Sequence, residues 1–196
     1  MGMIMKKAAK RWWWVLCAVI FLSATPSTLN AAEPERKPNA PESARKEAQD
    51  TNKDGKPDEW RYYQGKTLVR IEKDKDHNGR VDIWLYVKDG KTDRAEMDRN
   101  GDGKSDMERL MMIDGKTDRE RADLNFDGKW DAWSFYKNGV KEFMIVDKNY
   151  DGRPDAWFHY APDGIKILGA TMDDNHDGKP DRTLGTVPKG ETREPW

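Results

Sequence analysis

Apolar and polar positions along the chain fall into short alternating runs that recur about every 24 residues. The first run of each copy is aromatic: EWRYY at 59–63, IWLYV at 83–87, AWSFY at 132–136 and AWFHY at 156–160. The third copy reads MERLMM at 107–112, with Glu108 in the place of a tryptophan. A turn signal follows each run: Gln64-Gly65, Asp89-Gly90, Asp114-Gly115, Asn138-Gly139 and Asp163-Gly164. Gly and Asn tolerate positive φ, so these dipeptides between apolar runs predict tight hairpins. A second alternating run comes after each turn, such as KTLVRIE at 66–72 or VKEFMIV at 140–146. The pattern predicts an all-β fold, an antiparallel meander of about five β-hairpins and ten strands. Trp60, Trp84, Trp133 and Trp157 occupy equivalent places and are expected in a row on one face, beside Tyr62, Tyr86, Leu110 and Phe135. Periodicity leaves open whether the array coils as a solenoid, closes as a barrel or propeller, or stays an open sheet.

Six acidic loops link the hairpins, spaced by 24, 24, 25, 24 and 26 residues. Each obeys D-x-[DN]-x-[DN]-G-x-x-D. The oxygen-bearing positions are Asp50, Asn52, Asp54 and Asp58 in the first loop, and Asp74, Asp76, Asn78 and Asp82 in the second. Asp98, Asn100, Asp102 and Asp106 form the third set, and Asp123, Asn125, Asp127 and Asp131 the fourth. Asp147, Asn149, Asp151 and Asp155 form the fifth, and Asp173, Asn175, Asp177 and Asp181 the sixth. Three Asp and one Asn per loop concentrate 18 of the chain's 36 acidic residues in these sets. Such clusters repel themselves unless a cation sits among them. Calcium takes six to eight hard oxygen ligands, and alternate inward residues around a glycine bend can supply them. The chain is therefore expected to bind up to six Ca²⁺ ions. The rival reading, Asx-rich turns without metal, explains one such loop more easily than six.

The loops resemble the EF-hand signature through their sixth position. They depart from it at position 12, where Arg61, Leu85, Arg109, Ser134, Phe158 and Leu184 replace the bidentate Glu, and in their strand flanks. Dockerin and thrombospondin type 3 loops begin alike, but the former need helices and the latter a later Asp. The D-x-D-x-D-G-x-x-D loops of integrin-α-type (FG-GAP) repeats are the most similar, though a full propeller blade is longer than 24 residues. The resemblance implies calcium-stabilised β-structure outside the cytoplasm and names no ligand.

The ends of the chain differ from its middle. Lys6, Lys7, Lys10 and Arg11 precede an apolar run from Trp12 to about Ala24, and small residues close the segment at Ala31 and Ala32. This predicts a signal peptide over 1–32 and an exported protein, periplasmic, secreted or on the cell surface. A retained anchor fits less well, since the apolar run falls short of the ~20 residues of a span, and so does a lipoprotein modified at Cys17, because Leu16 before it and Trp14 three back suit such a site poorly. Cleavage removes four positive charges and moves the net charge from −1 to −5. It also removes the chain's one cysteine, so disulfides cannot brace the mature chain. Residues 33–49 read as a flexible linker with a helical turn around Ser43 to Ala48, 50–184 as the repeat domain, and 185–196 as a loose tail.

Near-balanced charge argues against nucleic acid as a partner. His77, His159 and His176 are scattered, with His77 and His176 expected in solvent, and no nucleophile or phosphate loop stands out. The reading is a non-enzymatic calcium-binding repeat protein with a structural or interaction role. The alternative is a carbohydrate-binding or adhesion module that offers its aromatic row to a polysaccharide or another surface protein. A basic residue after each loop glycine (Lys56, Arg80, Lys104, Lys129, Arg153, Lys179) offsets the carboxylates or meets an anionic polymer. The sixth repeat, lacking an aromatic strand, is expected to fray first, and the third, with Glu108, to be the soft point inside the array.

Overall fold

The structure is a computed structural model describing residues 43–188 and 193–196. The expected signal peptide at 1–32 and the linker up to residue 42 lie outside the described residues.

Among the described residues twelve strands succeed one another: β1 (Arg45–Gln49), β2 (Glu59–Gln64), β3 (Thr67–Lys73), β4 (Ile83–Lys88), β5 (Lys91–Met97) and β6 (Met107–Met111), then β7 (Thr117–Ala122), β8 (Ala132–Lys137), β9 (Val140–Val146), β10 (Ala156–Tyr160), β11 (Ile167–Met172) and β12 (Arg182–Gly185). Each pairs antiparallel with its sequence neighbours in one sheet ordered β1 to β12. β1 and β12 each pair with a single strand, so the meander is open and does not close as a barrel. At ~4.8 Å per strand it is about 50 Å across.

Two strands lie beyond the expected ten. The helical turn expected around Ser43 to Ala48 is instead strand β1, whose Ala48 lies opposite Trp60. The sixth loop is followed by β12, short and exposed throughout. Both end strands carry charge, Arg45, Lys46 and Glu47 on one and Arg182 on the other, which suits an unpaired sheet edge. The tail is not loose where it is described: Trp196 packs against the cluster of Trp133, Phe143 and Ile145.

The first strand of each hairpin is rich in aromatic and β-branched residues, which favour a pleated surface. Second strands such as TDRERA (β7) are not. Their strand state rests on cross-strand partners, which override intrinsic preference. All five hairpins carry a register shift at one place, just before the turn: after Tyr62, Tyr86, Leu110, Phe135 and His159. One extra residue on the second strand bends it and tightens the twist. Asp89 and Asn138 take positive φ (51° and 54°) ahead of Gly90 and Gly139, as a two-residue turn matched to strand twist requires.

Below the shift the register puts Trp60, Glu72, Trp84, Glu96, Glu108, Arg121, Trp133, Ile145 and Trp157 in one row across the sheet. Tyr62, Arg70, Tyr86, Arg94, Leu110, Arg119, Phe135, Phe143 and His159 form the row beside it. The expected aromatic row is thus one face, interleaved with charge on its N-terminal side. A second apolar cluster, Ala132, Val146 and Ala156 with Met144, Phe158 and Met172, lies in the same C-terminal half of the sheet.

Candidate metal centre

All six acidic loops fall on one edge of the sheet, because each links an odd strand to the following even one. The tight turns occupy the opposite edge. Adjacent loops are tied through backbone bonds: Asp74 N–H donates to the Asp58 carbonyl at 2.9 Å, and Asp98, Asp123, Asp147 and Asp173 repeat the link. The loop Asp residues therefore form a continuous acidic border.

Each loop is folded by its own oxygens. The carboxylate at position 1 accepts the glycine N–H of position 6 at 2.7–2.8 Å in all six. The side-chain oxygen at position 5 accepts the N–H of position 7 at 2.8–2.9 Å. The carboxylate at position 9 reaches back to the N–H of position 2 at 2.7–3.0 Å. Lys53, His77, Phe126, Tyr150 and His176, all at position 4, are held at φ of 60–65°. Nothing would crowd a Cβ at Gly55 or Gly152; their φ of 91° and 89° is what demands glycine.

These bonds draw the outer Asp residues of the motif inward. Asp58, Asp74, Asp98, Asp106, Asp123, Asp131, Asp147, Asp155 and Asp173 are buried, whereas Asp54, Asp76, Asp102, Asp127, Asp151 and Asp177 near the loop tips are exposed. Asp50 and Asp82 are half-buried, and Asp181 is exposed. Burial pushes the Asp106, Asp131 and Asp147 carboxyls up, with neighbouring loop carboxylates adding to it and backbone N–H groups pulling the other way.

In the second loop Asp74, Asp76 and Asp82 bring oxygens within 4.8 Å of one another, a group able to hold a metal ion. It is the one such group of carboxylate, imidazole or thiol ligands among the described residues. One difference from the other loops is readable in the sequence. This loop has Asp at position 3 and Asn at position 5; the other five have the reverse. In both arrangements the Asn turns its amide toward an acidic neighbour: Asn52 to Asp54 and Asn149 to Asp151 at 3.1 Å, and Asn78 of the second loop to Asp76 at 2.8 Å. An all-oxygen set suits a hard cation, and an oxygen that accepts one N–H keeps a lone pair for a metal.

The two histidines expected in solvent are exposed, and each also touches the preceding loop. His176 Nδ1 lies 2.6 Å from Asp155 and His77 Nδ1 3.5 Å from Asp58. The hydrogen bond to Asp155 holds the His176 imidazole above its ordinary range. Although burial acts to raise it, Asp155 is held below the usual carboxylate range by His176 and two backbone N–H groups. A cavity of about 90 Å³ opens between the first two loops, lined by Asp54, Asp58, Asp74, His77 and Asn78 among others. Sequence reading also missed Trp130, which stands where three other loops have proline and packs against the aromatic cluster.

No protein-family model matches the chain, and no curated protein sequence matches it. Among solved structures, the chain is similar to part of the accessory secretory protein 1, 2 and 3 structure from Streptococcus pneumoniae, at 11% identity and a TM-score of 0.32. It is also similar to part of TarM, at 13% identity and a TM-score of 0.33. These matches cover 59% and 60% of this chain but only 19% and 20% of those chains. Among the described residues, no helix is long and apolar enough to cross a membrane.

Proposed function

We propose that this chain is a non-enzymatic, exported β-sheet protein whose six acidic loops bind calcium, with the ions serving as its structural staple. One observation carries the reading: the six loops share a single hydrogen-bonded form that gathers their side-chain oxygens around a glycine bend and buries at least one carboxylate in each. Asp74, Asp76, Asn78 and Asp82 would hold an ion in the second loop, and the corresponding quartets would do so elsewhere. The bound ion would supply the missing positive charge and tie each odd strand to the next. The resemblance of the loops to FG-GAP repeats and the signal-like segment at 1–32 support the same reading. Burial of Trp84 and Trp133 weighs against an aromatic platform for sugars.

Extracellular loops of this class bind in the ~10⁻⁴–10⁻³ M range. At 10 mM calcium each occupied site then adds about 1.4–2.7 kcal/mol by mass action. Several sites together should raise the melting temperature by roughly 10 °C or more over the chelated protein. Calorimetric titration and thermal melting with calcium and with chelator measure this. Superimposable melting curves would overturn the reading.

A further inference from the structure

Among the described residues the two most exposed large apolar side chains, Ile113 at 89% and Ile165 at 82%, both lie at hairpin tips, on the edge of the sheet opposite the acidic loops. Val140, at the tip between them, is exposed as well. One exposed apolar residue is ordinary. Three on successive tips of one edge are not, because tight turns draw on polar residues and glycine. The tips also touch. Lys91 donates to the Ile113 carbonyl at 2.7 Å. A Cβ on Gly139 would meet the Lys116 side chain at 3.1 Å, and one on Gly164 would meet Val140 at 2.7 Å. Successive tips stand two strands apart, about 10 Å, so these three form a ridge about 20 Å long.

Charge divides along the same line. The five tips, residues 64–66, 88–91, 112–116, 137–141 and 161–166, carry seven lysines against three aspartates. Two of those aspartates are engaged within their own turns: Asp114 pairs with Lys116 at 3.1 Å, and Asp163 accepts the N–H groups of Ile165 and Lys166 at 2.8 and 3.0 Å. The Lys137 side chain is 74% exposed and stands 3.8 Å from Glu142. The acidic loops lie at the other end of the strands, about 20 Å away. The sheet is therefore polarised along its strands, with a basic, apolar-tipped edge and an acidic one. Protruding side chains spaced about 10 Å apart fit no single pocket in a partner. A fluid anionic lipid surface accepts them at any spacing, the apolar groups entering the acyl boundary and the ammonium groups meeting phosphates.

We propose that the turn edge from β6 to β11 docks on an anionic lipid surface. Ile113, Val140 and Ile165 enter the interface, Lys116, Lys137 and Lys166 meet the phosphates, and the strands stand upright with the acidic loops facing away. The contact is peripheral and reversible, since three short side chains bury far less apolar area than a spanning helix. It stands apart from calcium binding, because the docking groups and the loop carboxylates occupy opposite ends of the strands.

The test reads the edge itself, because the apolar run at 12–24 would hold the full chain on a vesicle of any composition. In the full-length Cys17→Ser chain, Ile113→Cys, Ile165→Cys or, on the loop edge, Lys104→Cys carries the environment-sensitive fluorophore NBD. Strand circular dichroism in calcium confirms the fold of each, and since both tip positions are exposed, either one can decide if the other variant fails to fold. Vesicles of phosphatidylcholine with about one phosphatidylglycerol in four should shift the emission at 113 and 165 to the blue and raise it about twofold or more. The label at 104 should stay silent, and phosphatidylcholine alone should move none of the three. Lys116→Gln/Lys166→Gln should raise the anionic lipid needed for half the change by about tenfold, and added salt should act the same way. Silent tip labels on anionic vesicles overturn the proposal, as does an equal response at 104 or a full response to phosphatidylcholine alone. A change at the tips that needs no vesicles and grows with protein concentration would make a second copy of the chain the occupant, and overturns it too.

Discussion

Between β2 and β7 the aromatic face alternates rings with ion pairs, whereas from β8 to β10 it is almost wholly apolar. In the first region the Tyr86 ring lies between the guanidinium groups of Arg70 and Arg94, at 5.3 and 4.0 Å. Arg70 pairs with Glu72 at 2.7 Å, and Tyr62 donates to Glu72 at 2.7 Å. In the second region Phe143 and Ile145 are 1% and 0% exposed under tryptophans. The origin is local: second strands carry Arg-x-Glu at β3 and β5, Arg-x-Arg at β7, and Phe-x-Ile at β9. Among the described residues no second layer covers the sheet, and its two halves meet that difficulty differently. Charge can be buried where each ion meets its opposite across the strands; otherwise large rings must cover one another.

The largest effect should come from emptying the apolar half. Phe143→Ala should destabilise the fold by about 3–5 kcal/mol, since the site is sealed on every side. Chemical denaturation reads it, and a loss under 1 kcal/mol would mean that β8–β10 is not the core. In the charged half, Glu108 takes Arg121 at 2.6 Å and Arg94 at 3.4 Å. Glu108→Ala should cost about 3 kcal/mol, because it takes the carboxylate from a largely buried Arg121, while Arg94 keeps Glu96 at 3.5 Å. The comparison sharpens with Glu108→Trp combined with Arg121→Glu, which recreates the Trp84–Glu96 pair of the preceding hairpin. The double variant should be at least 1 kcal/mol more stable than either single one, as coupled neighbours are not additive. Strict additivity would show that the cross-strand pair is not the unit of stability.

That pair marks where sequence reading stopped short. Alternation and turn signals were enough for the meander and the aromatic row, because these depend on local period. Glu108 read as a carboxylate in place of a ring, hence a weak point. Its compensation sits on the next strand, where Arg121 replaces the glutamate of β3 and β5, and shows only once the register is known. β1 was missed because RKEAQ has no apolar alternation; a strand before every other loop was the available clue. The bond of Trp196 with Arg121 links residues 75 positions apart, and no periodicity reaches that far. Among the loops, the position-3 Asp that distinguishes Asp74, Asp76 and Asp82 was visible, but its effect on oxygen spacing was not.

Hydrogen exchange offers a graded check. The exposed end strands β1 and β12 should exchange fastest, β8 to β10 slowest, and β6 in between, because opening an ion-paired strand exposes less apolar surface. Mass spectrometry of exchanged peptides resolves these elements. Protection of 107–111 equal to that of 140–146 would show that paired charge closes a single-layer face as firmly as apolar packing does.

The smallest effect lies at alkaline pH. Tyr62 and Tyr86, in the charged half, are each pushed up to about 12, first by burial and then by a carboxylate, Glu72 or Glu96. Tyr136, in the apolar half, is pushed up to about 12 by burial and then by Glu120. A raised phenol holds its proton more tightly in the folded chain than in the unfolded one. Its contribution is therefore fully present below the ordinary value of about 10 and is lost as pH rises through about 12. Absorbance at 295 nm should show a late phase from these three rings, and denaturation midpoints should fall across the same window. Glu72→Gln should move Tyr62 back toward its ordinary value, because a hydrogen-bonded anion no longer faces the phenolate, and should leave Tyr136 where it is. If Tyr62 and Tyr86 ionise with ordinary surface tyrosines while Tyr136 stays late, water reaches the rings between β2 and β5, and the charged half is a solvated surface, not a second kind of core.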